Sequence, residues 1–333
     1  MSKETTLLNN GRPIPTIGLG TFQATKPGEV YTAVKAAIGC GYKLIDCAAA
    51  YNNQKEVGNA LSESFANGII SRDDVFVVSK LFQTHHDWDG SGSRCHETLE
   101  ETLADLQLDY LDLYLMHWPF AFEQKKLEMP PGTPQPLRLP DGSPNPCFNI
   151  KIEYLRTWKV MESILKSGKV RAIGVSNFTV EQLDHLMNHS TITPAVNQIE
   201  LHPYLNQPEL RKYCADASIH IMGYSPLGSS SGGTPSLHGT TLLKHPSVCA
   251  VAESVNRTTG QVLIRWSIQK GATTIPKSSN LLRIQENFDV LGWSLNEEQM
   301  ATLDSLECGY RNFISYLKRP DNDIVWHDGC IEE

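Results

Sequence analysis

The chain of 333 residues has no long hydrophobic run. None of its apolar stretches approaches the roughly 20 residues that a transmembrane helix needs. The amino-terminal MSKETTLLNNGRPIP is polar and lacks the apolar centre of a signal peptide. Basic residues are in deficit: 29 Lys and Arg against 37 Asp and Glu leave a net charge of −8. That balance argues against a general nucleic-acid or anionic-membrane binder, so neither partner is expected. The eight cysteines include no C-x-x-C pair and no zinc-finger spacing. They read as reduced thiols in a cytoplasmic protein, with Cys47 beside Asp46 and Cys308 in the carboxy-terminal part. H-x-H and H-x-x-E patterns are missing as well, which weakens any metal reading. Gly18-Leu19-Gly20-Thr21-Phe22-Gln23 opens like G-x-G-x-x-G but lacks the third glycine, which weakens a Rossmann reading. No internal repeat is visible.

What the chain does have is a steady alternation of strand-like and helix-like segments. TIGLGT (16–21) precedes a helical stretch at 27–39, and KLIDCA (43–48) precedes 53–67. VFVVSKL (75–81) precedes 92–106, and YLDLYLMH (110–117) is followed, after an interruption, by 151–167. VRAIGVS (170–176) precedes 179–188, and AVNQIEL (195–201) precedes 207–217. HIMGYS (220–225) precedes two helical stretches between 245 and 269. TTIPKS (273–278) precedes 280–289, and 296–305 adds one more helix. The strands are short and almost continuously apolar, as parallel strands buried on both faces should be. Eight such units favour a closed (β/α)₈ barrel over a doubly wound sheet. One barrel domain is therefore expected over 1–333.

Three segments fall outside that repeat. Residues 6–15 predict a hairpin turning at Asn-Gly and covering the closed end of the barrel. Residues 119–149 form a long loop rich in Pro and Gly, and 307–333 a tail over the active-site face carrying Tyr310, Phe313, Tyr316 and Trp326. GSSSGGTPSLHG (228–239) reads as a mobile loop after the seventh strand.

Polar residues recur at the strand ends: Asp46 with Tyr51 just beyond, Lys80, His117, Ser176 and Asn177, Gln198, Tyr224 and Ser225, Lys277 and Ser278. In an α/β barrel these ends converge on one face, so residues 230 positions apart can share a pocket. Taken singly, an Asp–Lys pair, a Tyr in a first turn and a lone His are usually structural. Together they suit proton delivery to a carbonyl oxygen. Asp46 holds Lys80 charged, the Lys80 cation lowers the Tyr51 pKa, and His117 orients the substrate oxygen. The hydride must come from a cofactor, since no side chain supplies one.

At this point the sequence resembles the aldo-keto reductase superfamily, as an aldose- or xylose-reductase-like member. GYKLIDCAAAY, VFVVSKL, LADLQLDYLDLYLMHWP, GKVRAIGVSNF, VNQIELHPYLNQ, GYSPLG and IPKSSNLLRIQEN carry the resemblance, in the family's order and over nearly the whole chain. It implies a (β/α)₈ barrel, bound NADP(H), no metal, and a catalytic tetrad of Asp46, Tyr51, Lys80 and His117. Tyr51 would be the general acid in reduction. Thr21, Phe22 and Asp46 would border the cofactor. Ser176, Asn177 and Gln198 match residues that hold the nicotinamide carboxamide, and Tyr224 the ring that stacks on it. Ser225, Leu227 and Ser229 match the pyrophosphate loop. Lys277, Ser278 and Arg283 match the group at the adenosine 2′-phosphate, and Glu286 and Asn287 the adenine contacts. Lys and Arg donors also suit a phosphate on chemical grounds, which favours NADP over NAD.

The chain departs from the family pattern in places. Leu44 stands where a His is usual, and Phe22 and Phe82 stand where Trp is usual. The loop HHDWDGSGSRCH is extended, and 119–149 is long, as in fungal xylose-reductase-like and plant aldose-reductase-like enzymes. Phe22, Phe82, His117 and Trp118 are expected to bind substrate, with Phe120 and Phe122 as further candidates for the wall. Arg311 and Asn312 loosely resemble residues that contact sugar hydroxyls. The resulting expectation is reduction of aldehydes and aldoses to alcohols and alditols by a monomer or weak homodimer. Two alternatives stay open. One is a non-catalytic NADP-binding regulatory barrel, like the potassium-channel β subunits. The other is a metal-dependent hydrolase with Asp46, His117, Glu200 and His202 as ligands.

Overall fold

A computed structural model describes residues 4–24, 26–87, 90–124, 148–151, 154–228 and 241–313, with the backbone alone for 122–124 and 148–151. The chain opens with an antiparallel hairpin of β1 (Thr5–Leu7) and β2 (Pro13–Pro15). Eight short strands then form one parallel sheet: β3 (Leu19–Gly20), β4 (Leu44–Asp46), β5 (Phe76–Leu81), β6 (Leu113–Met116), β9 (Ile173–Ser176), β10 (Val196–Glu200), β11 (His220–Tyr224) and β12 (Thr273–Thr274). They lie in sequence order, and the last meets the first. Parallel bridges join Ile17 to Thr274 and Gly20 to Lys277. The Gly18 and Gly20 amides donate to Thr274 O and Pro276 O at 2.9 and 3.0 Å. The sheet is thus closed into the expected barrel. The glycines of the incomplete dinucleotide fingerprint serve this closure. A Cβ on Gly18 would clash with the Leu44 side chain, and one on Gly20 would stand 2.9 Å from Ile275 O.

Helices follow the strands close to the expected positions: α1 (Glu29–Cys40), α2 (Gln54–Ala66), α3 (Ser93–Leu106), α4 (Tyr154–Lys166), α5 (Val180–His189), α6 (Pro208–Asp216), α7 (Pro246–Ser254), α8 (Thr259–Gln269), α9 (Leu281–Phe288) and α10 (Glu297–Asp304). Three start at full capping boxes, Thr179–Gln182, Thr258–Gln261 and Asn296–Gln299. Each box satisfies two backbone donors that a helix start leaves unpaired. One difference from expectation concerns 119–149. Its two ends pair as an antiparallel ladder, β7 (Ala121–Gln124) on β8 (Phe148–Lys151). Helix α4 consequently begins at Tyr154 rather than 151.

Strand alternation divides the core in two. Outward residues such as Ile45, Val77, Tyr114 and Met116 join the helices in a large cluster. Inward residues, among them Leu44, Phe76, Val78, Leu113, Leu115 and Met222, fill the barrel together with Leu8 and Ile14 from the hairpin. The hairpin therefore plugs the amino-terminal end. Asn9 and Asn10 pin it there by bonds to Pro194 O and Arg171 O, ahead of β10 and β9. Burying two aliphatic side chains of this size contributes about 1.5–3 kcal/mol each. The same two-residue period carries each inward series to a polar end. Leu44 leads to Asp46, Val78 to Lys80 and Leu115 to His117.

Candidate active site

Asp46, Lys80 and His117 therefore end adjacent inward rows, and a short turn supplies the fourth group. After β4 the chain forms a single 3₁₀ turn, Ala49–Tyr51, closed by Asn52 in the left-handed region at φ 52°. Asn53 locks the turn by donating its amide to Thr21 O at 2.9 Å. The Thr21 hydroxyl in turn donates to Asp46 O at 2.9 Å. Lys80 Nζ stands 2.8 Å from both Asp46 oxygens and 2.8 Å from Cys47 O. The same Nζ shares its three N–H donors with a fourth acceptor, Tyr51 OH, 3.2 Å away. Lys80 is fully buried and Asp46 is 2 % exposed. The rings of Tyr51 and His117 meet edge-on at 5.9 Å. All four tetrad residues expected from the sequence thus fall together.

The electrostatics revise one expectation. Burial raises the Tyr51 pKa well above that of a free phenol, and the Asp46 carboxylate and Cys47 push the same way. The lowering expected from Lys80 does not prevail, because desolvation and the neighbouring carboxylate both disfavour the phenolate. Tyr51 is therefore a neutral phenol near neutral pH. His117 is shifted oppositely. Burial, with Lys80 and His86 adding, holds its pKa well below the ordinary histidine value. It is a neutral imidazole near neutral pH. Cys47 is a spectator, since burial pushes its thiol up to about 12, with Asp46 adding.

The carboxamide candidates form a connected row. Ser176 Oγ donates to Gln198 O at 2.9 Å, and Asn177 Nδ2 reaches Ser176 Oγ and His117 O at 3.1 Å each. Tyr224 OH donates to Asn177 Oδ1 at 2.8 Å. Gln198 Nε2 donates to Asp46 Oδ1 at 2.8 Å, which ties this row to the tetrad. That bond leaves the Gln198 carbonyl, and a second lone pair on Asn177 Oδ1, to accept from an amide NH₂. Asn177 and Ser225 both hold positive φ, 65° and 51°, so local backbone strain lies along this row.

The phosphate candidates lie at the far end of the same face. Lys277 is half-buried, donates to Gln23 O at 3.2 Å and stands 3.8 Å from Glu29. Ser278 Oγ accepts from the Asn280 amide at 3.1 Å, and the Asn280 side chain caps α9 by accepting from Arg283 N. Arg283 sits in the first turn of α9, and its side chain is exposed. Two cations at a helix start fit an anion. Glu286 is exposed one turn further on α9, and Asn287 is buried near Gly260. Leu227 also borders Gly260, while Ser229 lies outside the described residues.

Around the tetrad, the Phe22 ring lies 5.0 Å from Tyr51, and the Phe82 ring 6.3 Å from His117. Phe313 completes this wall, 6.0 Å from Phe22 and 5.7 Å from Tyr224. The sequence marked Phe313 only as one of several tail aromatics. Its place behind Arg311 and Asn312 was the available signal. Trp118 and Phe120 are buried against each other at 5.9 Å. The Phe122 side chain, Tyr316 and Trp326 lie outside the described residues. Arg311 and Asn312 are turned onto Gln207 and Glu200 rather than left free for a sugar. The ligand set of the hydrolase alternative is dispersed. Asp46 is held by Lys80, while Glu200 and His202 face each other at 2.8 Å. Among the described residues, no helix is long and apolar enough to cross a membrane.

Comparison with known proteins agrees with this geometry. Residues 16–307 match the profile of the Aldo/keto reductase family. The chain is 44 % identical over 299 residues to "Aldose reductase B" of Dictyostelium discoideum, covering 90 % of each. It is 43 % identical over 311 residues to "Aldo-keto reductase family 1 member A1" of Xenopus tropicalis, covering 93 % of this chain and 90 % of that one. Among solved structures, the aldose reductase from Schistosoma japonicum superposes with a TM-score of 0.82 at 35 % identity, over 94 % of this chain and 95 % of that one. The Bombyx mori aldo-keto reductase in complex with NADP gives 0.78 at 34 % identity, over the same shares. A barrel closed in this order, a Tyr–Lys–Asp–His cluster at its carboxy-terminal face and matches along nine-tenths of the chain lead to one assignment: this protein belongs to the aldo/keto reductase family.

Proposed function

We propose that the protein reduces small aldehydes and aldoses to alcohols and alditols with NADPH, and catalyses the reverse oxidation. The observation that carries this reading is the Tyr51 hydroxyl 3.2 Å from a fully buried Lys80 that Asp46 grips through both oxygens. The relatives named aldose reductase and the neighbour solved with NADP support it.

When bound, the reduced cofactor supplies the hydride to the carbonyl carbon. The chain's own residues handle the proton and the orientation. The neutral His117 donates a hydrogen bond to the substrate oxygen and fixes its position. Tyr51 gives its proton to that oxygen as negative charge develops there. The resulting phenolate is stabilised by the ammonium of Lys80, which Asp46 keeps aimed. Phe22, Phe82 and Phe313 exclude water around the reacting oxygen. Ser176, Asn177 and Gln198 hold the carboxamide, and Tyr224 lies under the ring. Thr21 borders the cofactor beside Asp46, and Ser225 and Leu227 border the pyrophosphate. Lys277, Ser278 and Arg283 take the 2′-phosphate, and Glu286 and Asn287 the adenine.

A panel of aldehydes, aldoses and ketones, followed by loss of NADPH or NADH absorbance, tests the reading. Turnover of short aldehydes with NADPH is expected. Binding of NADPH without turnover of any compound would sink the enzymatic reading in favour of a regulatory barrel. Changing Lys277 and Arg283 to Ala is expected to raise the NADPH KM by roughly 10- to 100-fold, the loss of one or two charge-assisted bonds. The NADH KM should barely move. An equal rise for both cofactors would remove these residues from the 2′-phosphate.

A further inference from the structure

The proposed chemistry leaves the buried carboxylate of Glu200 unused. Glu200 ends β10, directly opposite Tyr224 on β11, and is 2 % exposed. Its Oε1 accepts from the Asn312 backbone amide at 2.9 Å and from Asn312 Nδ2 at 2.6 Å. His202 Nε2, fully buried, lies 2.8 Å from the same oxygen. Burial alone would push the Glu200 carboxyl up. The hydrogen bond with His202 and the two Asn312 donors outweigh it and hold the carboxyl below its ordinary value.

Neighbouring bonds extend this contact along the tail. Glu307 accepts from the Asn206 amide, and the Cys308 and Tyr310 amides donate to Tyr204 O at 3.3 and 3.1 Å. Arg311 reaches Gln207 Oε1 at 3.0 Å, and Gln207 Nε2 donates to Glu200 O at 2.6 Å. Residues 307–312 are thus stitched to the loop after β10, and Glu200 takes the last stitch. The next residue is Phe313, whose ring meets Phe22 and Tyr224. A side chain one residue beyond a doubly bonded anchor has little freedom to leave the wall.

We propose that Glu200 is a positioning residue that sets substrate selectivity by latching Asn312 and so holding Phe313 in the aromatic wall over the site. The consequence, which rests on the proposed function, is that among small aldehydes those with a flat apolar group are preferred over short aliphatic ones. Asn312 then acts on substrate through Phe313, not by direct contact with hydroxyls.

The test uses the full-length protein and three variants, Asn312→Asp, Glu200→Gln and the two combined. Asn312→Asp sets a second carboxylate against Glu200 and should open the latch. Adding Glu200→Gln supplies an amide donor to the new carboxylate and should close it again. Asn312 lies at the tail end of the anchored segment, so its change leaves the barrel folded. Hydrogen–deuterium exchange across 307–313 reads the latch without any catalysis. Faster exchange is expected in Asn312→Asp, with protection restored in the double variant. Kinetics with NADPH read the selectivity. Asn312→Asp is expected to lower kcat/KM for benzaldehyde by roughly three- to tenfold relative to propanal, the loss of one aromatic edge contact. The change should fall on KM rather than kcat, and the double variant should recover it. Unchanged exchange in Asn312→Asp, or no recovery in the double variant, would overturn the latch. Restored exchange with unrestored selectivity would overturn the role in substrate choice. Failure of the wild type on every aldehyde would instead overturn the proposed function, with exchange still scoring the latch.

Discussion

Replacing Tyr51 with phenylalanine is expected to slow carbonyl reduction by a factor of roughly 10²–10⁴, the usual contribution of a positioned general acid. NADPH affinity should stay within about twofold, because the hydroxyl faces Lys80 rather than the Ser176–Asn177–Gln198 row. The ring that packs 5.0 Å from Phe22 is retained, so the wall should keep its shape. The measurement is kcat with a short aldehyde, alongside cofactor titration by fluorescence. A rate near wild type would take the proton-donor role away from Tyr51. The same geometry constrains the pH profile. Burial holds His117 well below, and Tyr51 well above, their ordinary values. Between roughly pH 6 and 8 neither group changes protonation, so kcat for reduction should be flat there. A bend near the ordinary histidine pKa would mean that His117 is more hydrated than its surroundings suggest.

The barrel was legible because its signal is repetitive. Eight apolar strand segments, each followed by a helical period, leave few alternatives, and the observed strands fall inside the expected segments. The tetrad was legible for a related reason. Strand alternation carries Asp46, Lys80 and His117 to one face, and that alternation can be counted in the sequence. The β7–β8 ladder was missed because the Pro- and Gly-rich interior of 119–149 dominates its composition. The paired ends are only four residues each, with Phe122 opposite Ile150 and Gln124 opposite Phe148, too short a pattern to stand out. The direction of the Tyr51 shift was missed for a different reason. A nearby lysine is visible in sequence, but the depth of burial is a property of the whole packed site. Phe313 was only faintly signalled, among several tail aromatics, and the Glu200–Asn312 contact was out of reach because it joins residues 112 positions apart through a non-repetitive tail.

Replacing Lys80 with methionine is expected to damage stability as well as catalysis. Methionine fills most of the space but leaves the Asp46 carboxylate buried, with Gln198 Nε2 as its remaining side-chain donor. Removing one partner of a buried ion pair costs about 3–5 kcal/mol, because the other charge stays desolvated. Neutralising that charge should recover most of the loss. In the double variant Lys80→Met with Asp46→Asn, the new amide can still accept from Gln198. Cys47 O loses its lysine donor in both variants, so a deficit of about 1–3 kcal/mol is expected to persist. Denaturant midpoints should therefore rank wild type first, the double variant second and Lys80→Met last. Activity should follow a different order, with both variants nearly inactive, since neither has a cation to stabilise the Tyr51 phenolate. Equal midpoints for the single and double variants would show that the desolvated Asp46 charge is not what destabilises the single one. Activity that returned with stability would show that Lys80 serves the fold alone. Stability regained without activity is the result expected if the pair is tolerated in the barrel interior for the sake of the tyrosine beside it.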